Sequence, residues 1–229
     1  MNEAMMIDLS AIVNRKGPLV KICGLQTLQA AEIAIDSGSD LVGMICVPNR
    51  KRTVNPDVAR NISALAKNSR RIGNGSVYVV GVFRNQTKEE VLKISDLYDI
   101  DIVQLHGDED WKEYYEYIKK PIIKRFIFPR DCDAVSSICT TDDSAICLPL
   151  FDSEAGGTGE LLDWESISNW AKNSDKPVKF LLAGGLTPDN VSSASSLPGV
   201  VGVDVSGGVE TDGEKDSTKI SKFIHSAKT

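Results

Sequence analysis

The sequence predicts a single-domain α/β fold, a (β/α)8 TIM barrel. Eight short β-branched runs alternate with helical stretches along the 229 residues. No linker divides the chain, and a split at 68–76 or near 131 would leave incomplete sheets. The main competitor, an open doubly wound sheet, often carries a Gly-x-Gly-x-x-Gly turn after its first strand. Here Cys23-Gly24-Leu25 follows that strand instead. The expected organisation is a lead-in segment over 1–18 and a catalytic barrel over 19–229.

The first run is Leu19 to Cys23. Thr27 can cap a helix from Leu28 to Asp36, which Gly38 stops. The second run, Leu41 to Val47, ends at Pro48, and Pro56 suits the first turn of a helix reaching about Lys67. Asn68 to Ser76 is polar and reads as a loop. Val77 to Phe83 is the third run, and Thr87 with Glu90 predicts a capping box. Ile100 to Leu105 is the fourth, followed by a helix over Asp110 to Ile118. Lys124 and Arg125 interrupt the fifth, Ile122 to Phe128, which precedes a short helix near Ala134 to Thr140. The sixth, Ala145 to Phe151, contains Pro149, which lacks a ladder donor and belongs where pairing is already lost. A helix over Asp163 to Ala171 follows. Val178 to Ala183 is the seventh run, with a short helix starting at Pro188. Val200 to Val205 is the eighth, and the final helix spans Lys215 to Ala227.

Composition narrows the function. Lys and Arg total 26 against 32 Asp and Glu, a net charge of −6. That balance disfavours nucleic acid, whose binding draws on basic residues, and weakly disfavours an anionic membrane. No apolar run approaches the roughly 18 residues of a membrane span. The first 17 residues lack the basic and apolar regions of a secretory signal. Five cysteines, an odd number without a Cys-x-x-Cys pair, suit a reducing compartment, so a cytoplasmic protein is expected. Two histidines and no Cys/His cluster give no support for zinc. A local basic site for an anionic metabolite stays open. No apolar segment demands a second subunit, so a monomer is expected.

In this fold chemistry sits at the carboxyl ends of the strands. Gly184-Gly185 and Gly207-Gly208 end adjacent strands, where bare backbone amides can hold a phosphate or simply make tight turns. Cys23 is either a buried structural thiol or, beside Lys21, a base whose pKa cations lower. The other four cysteines read as structural. Asp152 closes an apolar strand, where a carboxylate is costly unless it reaches a wet site, and partial burial would suit it to acid work. Its alternative is a cap for the next loop. Asn49-Arg50-Lys51-Arg52-Thr53 is a basic stretch that suits either solvent or a carboxylate. His106 is equally a site residue or a structural one.

The ordered motifs Lys21-Ile22-Cys23-Gly24-Leu25, Val80-Gly81-Val82-Phe83, Val103-Gln104-Leu105-His106-Gly107, Leu181 to Val191 and Val203 to Glu210 resemble the phosphoribosylanthranilate isomerase family of tryptophan biosynthesis. The stretch from Phe151 to Gly159 resembles its monofunctional fungal members. The resemblance implies a cofactor-free Amadori rearrangement. Its substrate would be N-(5-phospho-β-D-ribosyl)anthranilate and its product 1-(2-carboxyphenylamino)-1-deoxy-D-ribulose 5-phosphate. It implies Cys23 as base, Asp152 as acid and Arg52 as holder of the aryl carboxylate, with Arg50 its nearest rival. It also implies phosphate on the amides of Gly184, Gly185, Gly207 and Gly208, a covering loop that includes Gly157, and His106 near the substrate. Related barrels with a lysine–glutamate pair or an aspartate pair fit Cys23 poorly.

Overall fold

A computed structural model describes residues 7–71, 76–153 and 161–229. The elements run α1 (Leu9–Val13), β1 (Leu19–Ile22), α2 (Leu28–Asp36), β2 (Leu41–Ile45), α3 (Pro56–Arg71), β3 (Tyr78–Phe83), α4 (Lys88–Leu97), β4 (Ile102–Leu105) and α5 (Trp111–Ile118). They continue with β5 (Ile122–Phe126), α6 (Cys132–Cys139), a 3-10 turn (Asp142–Ala145), β6 (Cys147–Phe151), α7 (Trp164–Asn173), β7 (Phe180–Leu182), α8 (Val191–Ser195) and β8 (Val200–Val205). A 3-10 turn (Gly207–Val209), the small hairpin β9 (Glu210–Thr211) and β10 (Glu214–Lys215), and α9 (Ser217–Lys228) complete the chain. Strands β1 to β8 are parallel neighbours in sequence order. The pairing of Leu19 with Gly202 and Ile22 with Val205 closes the barrel.

Alternate residues of each strand point in and out. The inward set includes Leu19, Leu41, Val80, Ile102, Ile123, Leu148 and Leu181, which fill the lower barrel. Leu9 of α1, only 1% exposed, packs on this set and closes the amino-terminal mouth. The outward set, with Val20, Ile22, Val42, Val79, Val103 and Phe180, builds the larger core against the helices. The helices start as their caps dictate. The Thr27 hydroxyl accepts from Ala30 N, and Thr87 and Glu90 form a reciprocal capping box.

Several boundaries differ from expectation for tertiary reasons. Helix α3 runs four residues beyond Lys67. Ser69 is buried on its inner face, and Arg70 donates to Val77 O at 2.8 Å and to Asp101 Oδ2 at 2.7 Å. Lys124 and Arg125 lie within β5, both buried. Lys124 Nζ donates to Gly107 O at 2.6 Å, and Arg125 shares the inward parity of Ile123. Pro149 sits within β6, one residue before the register with β7 begins at Leu150 and Leu181. Ala183 N donates to Phe151 O at 2.9 Å, so the odd-numbered backbone groups of β6 face β7. The nitrogen of Pro149 therefore lies below that ladder, while on the other side Pro149 is paired with Lys124 of β5, so pairing is not lost at this position. Pro188 lies in a turn rather than in a helix, which starts at Val191. Lys215 belongs to the hairpin, because Asp216 accepts from Lys219 N and starts α9 at Ser217.

Candidate active site

A cavity of about 790 Å³ opens at the carboxyl ends of the strands and is lined by Cys23, Arg52, His106, Asp152, the two glycine pairs and Glu210. Strand parity explains the gathering. Cys23 follows Leu19 and Lys21, His106 follows Ile102 and Gln104, and Asp152 follows Leu148 and Leu150, each at steps of two. Backbone bonds extend the barrel ladder to these positions. Cys23 N donates to Val205 O at 2.8 Å, His106 N to Phe83 O at 2.8 Å and Asp152 N to Phe126 O at 3.4 Å. Outward-facing Phe151 is gripped by Trp170, Phe180 and Phe128, with ring centroids at 5.6, 5.0 and 5.8 Å, which steadies the backbone beneath Asp152.

Cys23 is 5% exposed. Burial pushes its thiol above the ordinary 9.0, the Lys21 ammonium pulls it back, and the Asp204 carboxylate adds to the rise. Sequence reasoning expects cations to lower this thiol. Lys21 does so, but burial outweighs it. Lys21 is wholly buried; burial opposes its charge, yet Asp204 and Cys23 together outweigh that penalty and hold the ammonium. Gly43 provides the space, since a methyl there would lie 2.8 Å from Cys23 Sγ and 3.0 Å from Lys21 Cε. Cys46 is pushed to about 12 and Cys132 to about 11 by burial, as befits structural thiols.

Asp152 is 7% exposed. Its Oδ1 accepts from Ser153 N at 2.8 Å, and its Oδ2 lies 3.4 Å from His106 Nε2. Just beyond His106, Gly107 N donates to Glu109 Oε2 at 2.8 Å, which holds the loop that carries the imidazole.

Arg52 stands at the opposite rim. Its Nε and Nη2 form a fork on Glu210 at 2.6 and 2.8 Å, leaving Nη1 for another acceptor. Lys215 Nζ also donates to Glu210 Oε1 at 2.8 Å and to Ser206 O at 2.9 Å. Burial pushes the Glu210 carboxyl up, but Arg52 and Lys215 outweigh it and hold the group at about 2. Arg50 also lines the cavity but is exposed.

The glycine pairs meet on the β7–β8 side. Gly184 and Gly185 take φ of 85° and 63°, which side-chain-bearing residues rarely adopt. Asn190 pins this turn, accepting from Thr187 N at 2.8 Å and donating to Gly185 O at 3.0 Å. A Cβ on Gly208 would lie 1.8 Å from Leu186 O, so only glycine lets the two loops approach. Gly157 lies outside the described residues. Cys23, Arg52, His106, Asp152 and both glycine pairs, each a candidate from the sequence, share one cavity, whereas Gly43, Gln104, Asp204, Glu210 and Lys215 gain their places only from the structure. Gln104 and Asp204 carried a signal: each is a polar residue at an inward position of an apolar strand.

The family model of N-(5'-phosphoribosyl)anthranilate (PRA) isomerase matches residues 20–226. The N-(5'-phosphoribosyl)anthranilate isomerase of Saccharomyces cerevisiae is 58% identical over 214 residues, covering 93% of this chain and 95% of the relative. That of Candida albicans is 42% identical, covering 90% and 96%. The crystal structure of phosphoribosyl anthranilate isomerase from Thermotoga maritima superposes with a TM-score of 0.75 at 33% identity, covering 92% of this chain and 98% of that one. A phosphoribosyl anthranilate isomerase in complex with reduced 1-(o-carboxyphenylamino)-1-deoxyribulose 5-phosphate superposes at 0.73 with 32% identity, covering 92% and 98%.

Proposed function

The chain belongs to the N-(5'-phosphoribosyl)anthranilate isomerase family, and from that membership we propose how its own residues divide the work. The enzyme acts in tryptophan biosynthesis, isomerising N-(5-phospho-β-D-ribosyl)anthranilate to 1-(2-carboxyphenylamino)-1-deoxy-D-ribulose 5-phosphate. The observation that carries the division is the placement of Cys23, Asp152 and Arg52 around one cavity, with the glycine turns on its β7–β8 side.

Asp152, as the acid, gives its proton to the furanose ring oxygen as the C1–O bond breaks. The nitrogen lone pair forms the C1=N bond, leaving a protonated Schiff base. Cys23, as thiolate, takes the proton from C2, and the C–H electrons form C1=C2 while nitrogen recovers its lone pair. The enolamine then loses its hydroxyl proton and gains one at C1 to give the ketone. One turnover leaves Asp152 ionised and Cys23 as thiol, so a proton must be returned to Asp152 and removed from Cys23. The substrate nitrogen is the electron sink, so these steps call for no cofactor. Arg52 holds the aryl carboxylate through its remaining donors, and the amides of Gly184, Gly185, Gly207 and Gly208 hold the phosphate. His106 contacts the substrate side of Asp152.

Residues 19–229 act as one catalytic unit with 1–18 as lead-in, a monomer in the cytoplasm whose partner is this small anionic substrate. No helix among the described residues is long and apolar enough to cross a membrane. The test follows the loss of fluorescence of freshly generated phosphoribosylanthranilate in EDTA. Cys23→Ala and Asp152→Asn should fold and each lose about a hundredfold or more in turnover. Near-normal turnover in either variant removes that residue from its role, and conversion that EDTA abolishes overturns the cofactor-free part.

A further inference from the structure

Gln104 and Asp204 line the floor of the cavity and Lys21 lies with them in the barrel interior, the three exposed 1%, 8% and 0%. Their hydrogen bonds have a direction. Lys21 Nζ donates to Asp204 Oδ2 at 3.0 Å and to Gln104 Oε1 at 2.8 Å. An ammonium has donors only, so the Gln104 amide must turn its oxygen toward it. The amide nitrogen then faces His106 Nδ1 at 3.2 Å. That nitrogen is itself a donor, so Nδ1 must accept, and the imidazole hydrogen belongs on Nε2. Nε2 in turn faces Asp152 Oδ2 at 3.4 Å.

We propose that Gln104 is a positioning residue: anchored by the Lys21 ammonium, it locks His106 in the neutral Nε2–H tautomer, so that the imidazole meets Asp152 as a donor and never as an acceptor. The proposal rests on the reading of Asp152 as the acid. The opposite tautomer would present a lone pair on Nε2. A protonated Asp152 would then direct its hydrogen to the imidazole instead of to the ring oxygen. With Nε2 already carrying hydrogen, the acid's proton has only the substrate to go to, and the carboxylate formed on transfer keeps a donor beside it. Direction thus passes from a buried charge on β1 to the acid on β6 through two side chains of β4 and its end.

The chain has two histidines, His106 and the exposed His225, so two imidazole patterns appear in long-range 1H–15N spectra, and His225→Gln assigns them. The unaltered enzyme should show His106 as Nε2–H at neutral pH. Gln104→Glu is nearly isosteric but offers acceptors only, so it should place a hydrogen on His106 Nδ1. Turnover should fall about tenfold to a hundredfold with KM changed less than about threefold, since proton donation belongs to the transition state. Gln104→Leu should leave His106 in mixed tautomers. A His106 that is Nδ1–H in the unaltered enzyme, or that stays Nε2–H alone in Gln104→Glu, overturns the proposal. The spectrum of the unaltered enzyme decides the matter even where a variant does not fold. Full turnover in Asp152→Asn would defeat the acid assignment while leaving the tautomer result intact, so the two failures are distinguishable.

Discussion

Replacing Lys21 with Met strands the Asp204 carboxylate inside the barrel. The two groups are 3.0 Å apart, with side chains 0% and 9% exposed. At an effective dielectric near 20, charges at that separation attract by about 5 kcal/mol. Breaking a buried pair by removing one partner costs about 3–5 kcal/mol, because the survivor is left uncompensated. Set against a domain stability of about 5–15 kcal/mol, that loss is severe. For a chain of this size it lowers Tm by roughly 6–20 °C. Lys21→Met with Asp204→Asn removes both charges, and should regain at least half of the loss in urea denaturation. If the double variant is no more stable than the single one, the pair is not what Lys21 contributes, and the reasoning fails. The single variant also has a kinetic signature. The Cys23 thiol already lies above its ordinary value, and the Lys21 ammonium is the foremost group pulling it down. If the thiolate is the reactive form, kcat/KM rises with pH, and Lys21→Met moves that rise to higher pH.

Glu210 is held at about 2 against an ordinary 4.5, so its ionised form stabilises the fold above pH 4.5 and that contribution is lost as pH falls toward 2. Solvent screening at the cavity mouth reduces the roughly 3 kcal/mol of the full shift to about 1–2 kcal/mol. Glu210→Gln should flatten the acid limb of a Tm-against-pH curve in this window, and an unchanged limb would refute the assignment. Gly43→Ala places a methyl against Cys23 Sγ and Lys21 Cε. It should cost about 1–3 kcal/mol by thermal melting and also lower turnover, and normal turnover would mean the thiol has room to move. Arg52→Ala should raise KM for the carboxylate-bearing substrate more than for its decarboxylated analogue. Equal effects would shift the role to Arg50 or to packing around Glu210.

Much of the architecture is local and therefore legible. Apolar runs bounded by Gly, Pro and capping residues mark strands and helices, and Thr87 with Glu90 marks a helix start to the residue. Errors fall where a distant partner decides. Helix α3 continues because Arg70 finds Asp101 and Val77 O. Strand β5 forms where the fifth run is expected, and it accepts Lys124 because Gly107 O and Glu109 meet its ammonium. Hairpin β9–β10 has little apolar signal and is held by Lys215 and Glu210.

By itself, the sequence determined the alternation of strand and helix and the strand ends that come to line one cavity, because period and capping are short-range properties. Only the tertiary structure decided how the groups at those ends are charged and aimed. Burial raises the Cys23 thiol against the pull of Lys21. Arg52 is forked on Glu210, 158 positions away in the chain. Lys21 reaches Gln104 across 83 positions and Asp204 across 183. Desolvation and Coulomb interaction depend on distance in space, and barrel closure sets those distances.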